Sequence, residues 1–206
     1  MALPRFRRFL ATACATAGAI ACLPALPAVD LGDVTLEEST QVGGHDLKLN
    51  GAGIGKRLVF KLYAMGLYLP ARQHHANEVL ASEGARRMTI VPLRDISGDD
   101  FSDAVMRDLS PERFASPEVL QQLVGLADAI GQRPGGLRRG DVLTLDWVPG
   151  TGAVVALNRK PLAPPMRNVA VYNALLMVWL GEKPTDPALK AKLLGGASAD
   201  VREARL

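Results

Sequence analysis

From residue 57 to residue 69 the chain alternates. Leu58, Phe60, Leu62, Ala64, Gly66 and Tyr68 fall on one face, and Arg57, Val59, Lys61, Tyr63, Met65 and Leu67 on the other. Period-two patterning with aromatics predicts a strand. Apolar residues on both faces predict a central strand covered on both sides, and Gly66 within it marks a bulge or a close approach. Residues 29–50 alternate at Val34-Thr35-Leu36 and Leu47-Lys48-Leu49 about Gly43-Gly44, which predicts a hairpin, a loop-rich lead-in being the alternative.

The period then lengthens. His74, His75 and Glu78 open a short helical stretch, and Arg87 to Leu93 reads as another strand. Ser97 precedes Asp100 at capping-box spacing, with Phe101, Val105 and Leu109 following at helical intervals. Ser116-Pro117 is a second helix start, and Val119, Leu120, Leu123, Val124, Ala127 and Ile130 form its apolar stripe. A hairpin follows: 142–147, a turn at Pro149-Gly150-Thr151-Gly152, a return over 153–157 and a second turn at Asn158-Arg159-Lys160. Helices are predicted over 167–180, closed by Gly181, and over 187–194, opened by Asp186-Pro187. Strands early and late, without βαβ alternation, predict an α+β domain: a large, mainly antiparallel sheet with helices on one side.

The N-terminus follows a different logic. Arg5, Arg7 and Arg8 precede a short stretch of small and apolar residues, and the first acid is Asp30. This reads as a secretory signal peptide over 1–28, followed by a single domain over 29–206 in the periplasm or outside the cell. The stretch is too short for a mature transmembrane helix, a retained anchor being the alternative. Ala19-Ile20-Ala21 and the stretch ending at Ala28 are two candidate cleavage sites, and lipidation of Cys22 is a minor alternative. Removing the leader changes the charge: 24 basic and 21 acidic residues become equal in number once its three arginines are gone. A neutral domain carries no electrostatic footprint for nucleic acid. Both cysteines, Cys14 and Cys22, lie in the leader region, so no disulfide framework or Cys-based metal site is expected.

Nucleotide, metalloprotease and serine-hydrolase motifs are absent. His45, His74 and His75 have no ligand set at metal spacing, so no metal or cofactor is expected. The candidate chemistry lies in polar residues within apolar strands. Arg57, Lys61 and Tyr63 share a face with Val59 and Met65, and Arg94 closes the strand 87–93. Buried cations need partners. Arg94 could pair with Asp95, Asp99 or Asp100. Alternatively, an arginine and a tyrosine hydroxyl at the edge of an apolar cavity would hold a carboxylate or an enone oxygen.

Several segments carry a family resemblance: Leu49-Asn50-Gly51-Ala52-Gly53-Ile54, the run from Phe60 to Leu69, Leu93-Arg94-Asp95, the run from Asp146 to Gly152, and the C-terminal stretch from Ala174 to Gly195. In order and spacing they resemble the bacterial exported chalcone isomerase-like proteins. The resemblance implies an open-faced β-sandwich with a ligand cleft between sheet and helices. Plant members include isomerases that close a chalcone to a flavanone, and others that resemble fatty-acid-binding proteins without that activity.

The isomerase residues do not carry over intact. The catalytic arginine position, two after Gly-Ala-Gly, is Gly55; Lys56 and Arg57 could serve only after a register shift. The catalytic threonine falls on Tyr63, the helix tyrosine on Phe101, the following lysine on Ala104 and the asparagine on Asp108. Each lost charge-stabilising contact is worth about 3 kcal/mol at a transition state. The resemblance therefore implies a non-catalytic binder of a small amphipathic ligand such as a fatty acid, with Arg57, Tyr63, Arg94 and Phe101 as candidate ligand-binding residues. An intramolecular lyase with a rearranged site and an envelope structural or partner-binding protein are the alternatives. Oligomeric state is not legible.

Overall fold

The structure, a computed structural model, describes residues 27–101, 103 and 116–196. Residues 1–26 of the expected leader, with Cys14 and Cys22, lie outside them, as do Ala104, Val105, Asp108 and Leu109, whereas its last residue, Ala28, begins β1. Nine strands and four complete helices are described: β1 (Ala28–Asp30), β2 (Thr35–Glu37), β3 (Ser39–Val42), β4 (His45–Arg57), β5 (Phe60–Leu69), α1 (Ala76–Ala81), β6 (Arg86–Pro92), α2 (Pro117–Gly131), β7 (Leu143–Val148), β8 (Gly152–Leu157), β9 (Lys160–Pro161), α3 (Val169–Leu180) and α4 (Pro187–Leu193). A further helix starts at residue 98. There the Ser97 hydroxyl accepts from Asp100 N at 3.1 Å and donates to the Asp100 carboxylate at 2.8 Å.

β3 to β9 form one antiparallel sheet in chain order. The α+β architecture expected from the pattern is the one observed. β5 is central, and residues 64–69 are buried on both faces. On one face Met65, Leu67, Met88, Leu145 and Val155 meet Tyr172, Leu176 and Leu180 of α3 and Leu189 and Leu193 of α4. On the other, Tyr68 packs with Leu47, Leu49 and Val42, and Val29 of the β1–β2 pair closes over them. The cover on this second face, a two-stranded ribbon, adds to the helices expected on one side. Gly66 marks a close approach, since a Cβ there would press on Leu36 Cδ1 at 2.9 Å.

The strand expected over 57–69 is corrected by the structure. Leu58-Val59 is a two-residue turn, so Arg57 ends β4 and Phe60 begins β5. The turn contains no Gly, Pro, Asn or Asp, and the alternation runs through it unbroken, which hid it from pattern reading. The hairpin about Gly43-Gly44 forms as expected between β3 and β4.

β4 changes face midway. The pairing with β5 shifts between Leu49 and Gly51, leaving Asn50 unpaired across the ladder, a bulge. Beyond it, Gly51, Gly53 and Gly55 occupy alternate positions, the first two beneath α4 and the third beneath the Tyr63 ring. At Gly51 a Cβ would overlap the backbone carbonyls of Lys192 and Leu193, and at Gly53 it would press on Lys192 and Leu189 side chains. α4 therefore rests almost directly on the backbone of β4. Asn50 ties the two together: it is 3% exposed, its Nδ2 donates to Leu193 O at 2.7 Å and Gln73 O at 2.9 Å, and its Oδ1 accepts from Gln73 N at 2.8 Å.

Candidate functional site

The helix-facing side of the sheet ends, toward the β4–β5 turn, in a half-buried aromatic group. Tyr63 pairs with Gly55 across β4 and with Pro92 across β6. Its ring lies where a Gly55 side chain would begin, since a Cβ on Gly55 would overlap Tyr63 Cε2 and Cζ. Trp179, in the last turn of α3, donates from Nε1 to Tyr63 Oη at 2.8 Å, and the rings meet edge to face at 6.5 Å and 84°. Such contacts fix ring orientation as well as adding attraction. Phe101, in the first turn of the helix that starts at 98, is half-buried against the same apolar layer.

The candidate cations stand outside this layer. Arg57 is exposed at the end of β4, and Lys61 is exposed too, which corrects the expectation of buried cations on that face. Both lie within two residues of the Leu58-Val59 turn. Arg94 is exposed, with its guanidinium 5.9 Å from the centre of the Phe60 ring. Asp95, one of the partners considered for it, instead accepts from Arg139 N at 2.8 Å. The structure thus brings Tyr63 into the layer, packs Phe101 on its margin and leaves Arg57 and Arg94 at the rim.

The cation that the layer does bury is Arg86, which pattern reading missed. It is wholly buried, and its Nη1 donates to Val79 O at 2.8 Å, Leu80 O at 3.4 Å and Asn173 Oδ1 at 3.2 Å. Nε and Nη2 have no hydrogen-bond partner among the described residues. The guanidinium sits 4.9 Å from the centre of the Tyr172 ring. Burial lowers its pKa, with the Tyr172 phenol opposing that shift. One signal was available: Arg86 shares parity with Met88 and Ile90. Placing the strand start at Arg87 left it out. Arg87 takes the opposite face, where Nε and Nη2 grip both Asp146 carboxylate oxygens at 2.7 and 2.6 Å, and that hydrogen-bonded pair raises its pKa.

The histidines serve local structure. His74 Nδ1 lies 3.1 Å from Leu194 O, and His75 N donates to Glu78 at the start of α1 at 3.3 Å. Among the described residues no group of His, Cys, Asp or Glu is arranged to hold a metal, and no helix is long and apolar enough to cross a membrane. A shallow open groove of about 320 Å³ runs beside the β4–β5 turn, between Ile54, Lys56 and Leu58 on one side and Pro187, Leu189 and Lys192 on the other.

Comparison with known proteins agrees with this layout. A search of curated proteins finds no match. Among solved structures, a fatty-acid binding protein of Arabidopsis thaliana superposes with a TM-score of 0.55 at 18% identity, covering 82% of this chain and 96% of that one. At that identity the likeness is one of fold. The family model described as chalcone isomerase-like matches residues 28–195, the span that holds the sheet, the glycine track of β4 and the helices laid over it, and the chain therefore belongs to the chalcone isomerase-like family.

Proposed function

We propose that this domain binds a small amphipathic ligand with an acidic head, such as a fatty acid, and does not catalyse ring closure. The observation that carries the reading is the replacement at Gly55. Where the resemblance assigns a catalytic arginine there is no side chain, and the Tyr63 ring, held by Trp179, fills the place. A cation that guides a phenolate is missing there, whereas an aromatic wall with a hydroxyl remains. The fatty-acid binding protein that shares the fold supports the same reading. Tyr63 and Phe101 would line the ligand, with Arg57 and Arg94 at the rim to meet its carboxylate. Residues 1–28 would direct export, so that the domain over 29–206 works in the periplasm or outside the cell.

Trp179 supplies the test. The chain holds two tryptophans, so Trp147→Phe leaves Trp179, beside Tyr63, as sole reporter. Titration with oleate should shift its emission to saturation at one ligand per chain. Replacing Arg57 and Arg94 by Ala should weaken binding about tenfold or more, the scale of a charge-assisted hydrogen bond. Native mass spectrometry of gently extracted protein should show a bound lipid. An empty protein whose Trp179 ignores fatty acids overturns the reading. Chalcone cyclisation above the spontaneous rate, reduced in Arg57→Ala, would establish the isomerase instead.

A further inference from the structure

The main sheet contains three two-residue turns with residues at positive φ. Gly43-Gly44 uses φ of 56° and 82°, and Asn158-Arg159 uses 49° and 67°; glycine and asparagine enter this region most easily, and Arg159 follows Asn158 into it as a polar residue in solvent. The third turn, Leu58-Val59, puts Leu58 at φ 55°. Leucine is poorly suited to that conformation, because its Cβ crowds the backbone. Nor does packing explain the choice. Leu58 is 89% exposed, Val59 84% and Phe60 57%, three of the five large exposed hydrophobic residues among those described. Folding alone would favour glycine at position 58, the one central residue of this turn at positive φ. The chain instead carries a strained apolar tip that projects into solvent.

The surroundings of that tip are cationic. Lys56, Arg57 and Lys61 flank it and are exposed, and Arg94 lies over Phe60 from the neighbouring strand end. Between Asp46 and Glu78 the sequence contains no acidic residue. Of the carboxylates nearby, Asp186 caps α4, accepting from Leu189 N at 3.0 Å and Lys56 N at 3.1 Å, and Asp95, next to Arg94, accepts from Arg139 N at 2.8 Å. A projecting tip of three apolar side chains is far too small for a stable protein interface, which needs on the order of 1,000 Å². It has the form of a membrane-surface anchor: apolar residues enter the acyl boundary while the cations beside them meet phosphate headgroups.

We propose that the β4–β5 hairpin tip docks the domain on an anionic lipid surface, with Leu58, Val59 and Phe60 inserted and Lys56, Arg57, Lys61 and Arg94 at the headgroups. This goes beyond the ligand reading and does not depend on it, because docking requires no bound ligand. It also gives the ligand reading a route, since the tip lies at the end of the sheet where Tyr63 stands.

The test is flotation of the purified chain with vesicles of equal phosphatidylglycerol and phosphatidylcholine, against vesicles of phosphatidylcholine alone. The expected result is binding to the anionic vesicles that weakens with added salt. The double variant Leu58→Gly with Val59→Asn supplies glycine where the backbone has positive φ and a polar residue beside it, so its melting temperature should hold or rise. Its partition onto anionic vesicles should drop at least tenfold. Parent and variant share the same N-terminal segment, so any binding by that segment cancels in the comparison. Equal flotation of parent and variant would overturn the proposal. So would an absence of vesicle binding, including the case where sedimentation shows a self-association that the variant abolishes.

Discussion

The guanidinium of Arg86 stacks on the ring of Tyr172, 4.9 Å from its centre, in a layer that water does not reach. Its positive charge has no carboxylate partner among the described residues, and two of its nitrogens make no hydrogen bond there. A buried charge of this kind costs more than it returns when an apolar side chain of similar length could replace it. The carbonyls it serves keep other donors: Asn173 Nδ2 reaches Leu80 O at 3.0 Å, and Ser82 N reaches Val79 O at 3.4 Å. Arg86→Met should therefore leave stability unchanged or raise it by about 1–4 kcal/mol. Arg86→Ala, which opens a cavity, should lower it by roughly 2–4 kcal/mol. Urea denaturation of the two variants checks both signs.

Alkaline pH should destabilise the fold through its buried phenols. Burial raises the pKa of Tyr68 from 10.0 to about 12, with Arg87 opposing and Glu37 adding to the shift. Tyr172 is shifted in the same direction by burial, against the opposing charge of Arg86. The folded state keeps these protons where the unfolded chain has lost them. The stability they contribute is complete below pH 10 and, for Tyr68, is lost as pH rises from 10 to about 12. Melting temperatures should fall across that window, and less steeply in Tyr68→Phe, which has no proton to lose there.

Asn50 and Gly51 together dock α4. Asn50→Leu would strand the part-buried Gln73 N and C=O and the buried Leu193 carbonyl that the amide now serves. At about 1–3 kcal/mol for each unsatisfied group, loss of much of the domain's stability is expected. Gly51→Ala places a methyl against the Lys192 and Leu193 carbonyls, which are backbone and cannot step aside without moving α4. A cost of about 1–3 kcal/mol is expected, with faster hydrogen exchange confined to residues 187–193. Uniform change across the domain would contradict this assignment.

Restoring an arginine at position 55 should not restore isomerase chemistry. Gly55→Arg collides with the Tyr63 ring and should cost roughly 1–3 kcal/mol. Adding Tyr63→Thr should recover part of that loss by clearing the ring. Neither variant should cyclise a chalcone above the uncatalysed rate, since Phe101 still lacks a hydroxyl. Loss of the chalcone's visible absorbance is the measurement.

Much of this architecture was legible locally. Ser116 before Pro117, Asp186 before Pro187 and Ser97 before Asp100 each begin a helix where the side chain can accept from the first turn, and each does so here. Gly43-Gly44 turns as glycine's conformational freedom dictates, and Asn158 opens the second turn at φ 49°. The site was less legible. Tyr63 could be named from its place among apolar residues, but its partners come from Gly55, eight positions back, and Trp179, at the far end of the chain. Arg57 and Arg86 both begin as a cation beside an apolar strand. One ends exposed at a hairpin and the other wholly buried under α1 and α3.

The sequence by itself determined the α+β pattern, the main helix starts and the glycine turns, because alternation, capping and backbone freedom act over a few residues. Tertiary structure alone decided which cation is buried, why β4 carries glycine at alternate positions beneath α4 and the Tyr63 ring, and that Leu58 stands in solvent. Those outcomes depend on which distant segment arrives to cover a surface, and no local pattern records the arrival.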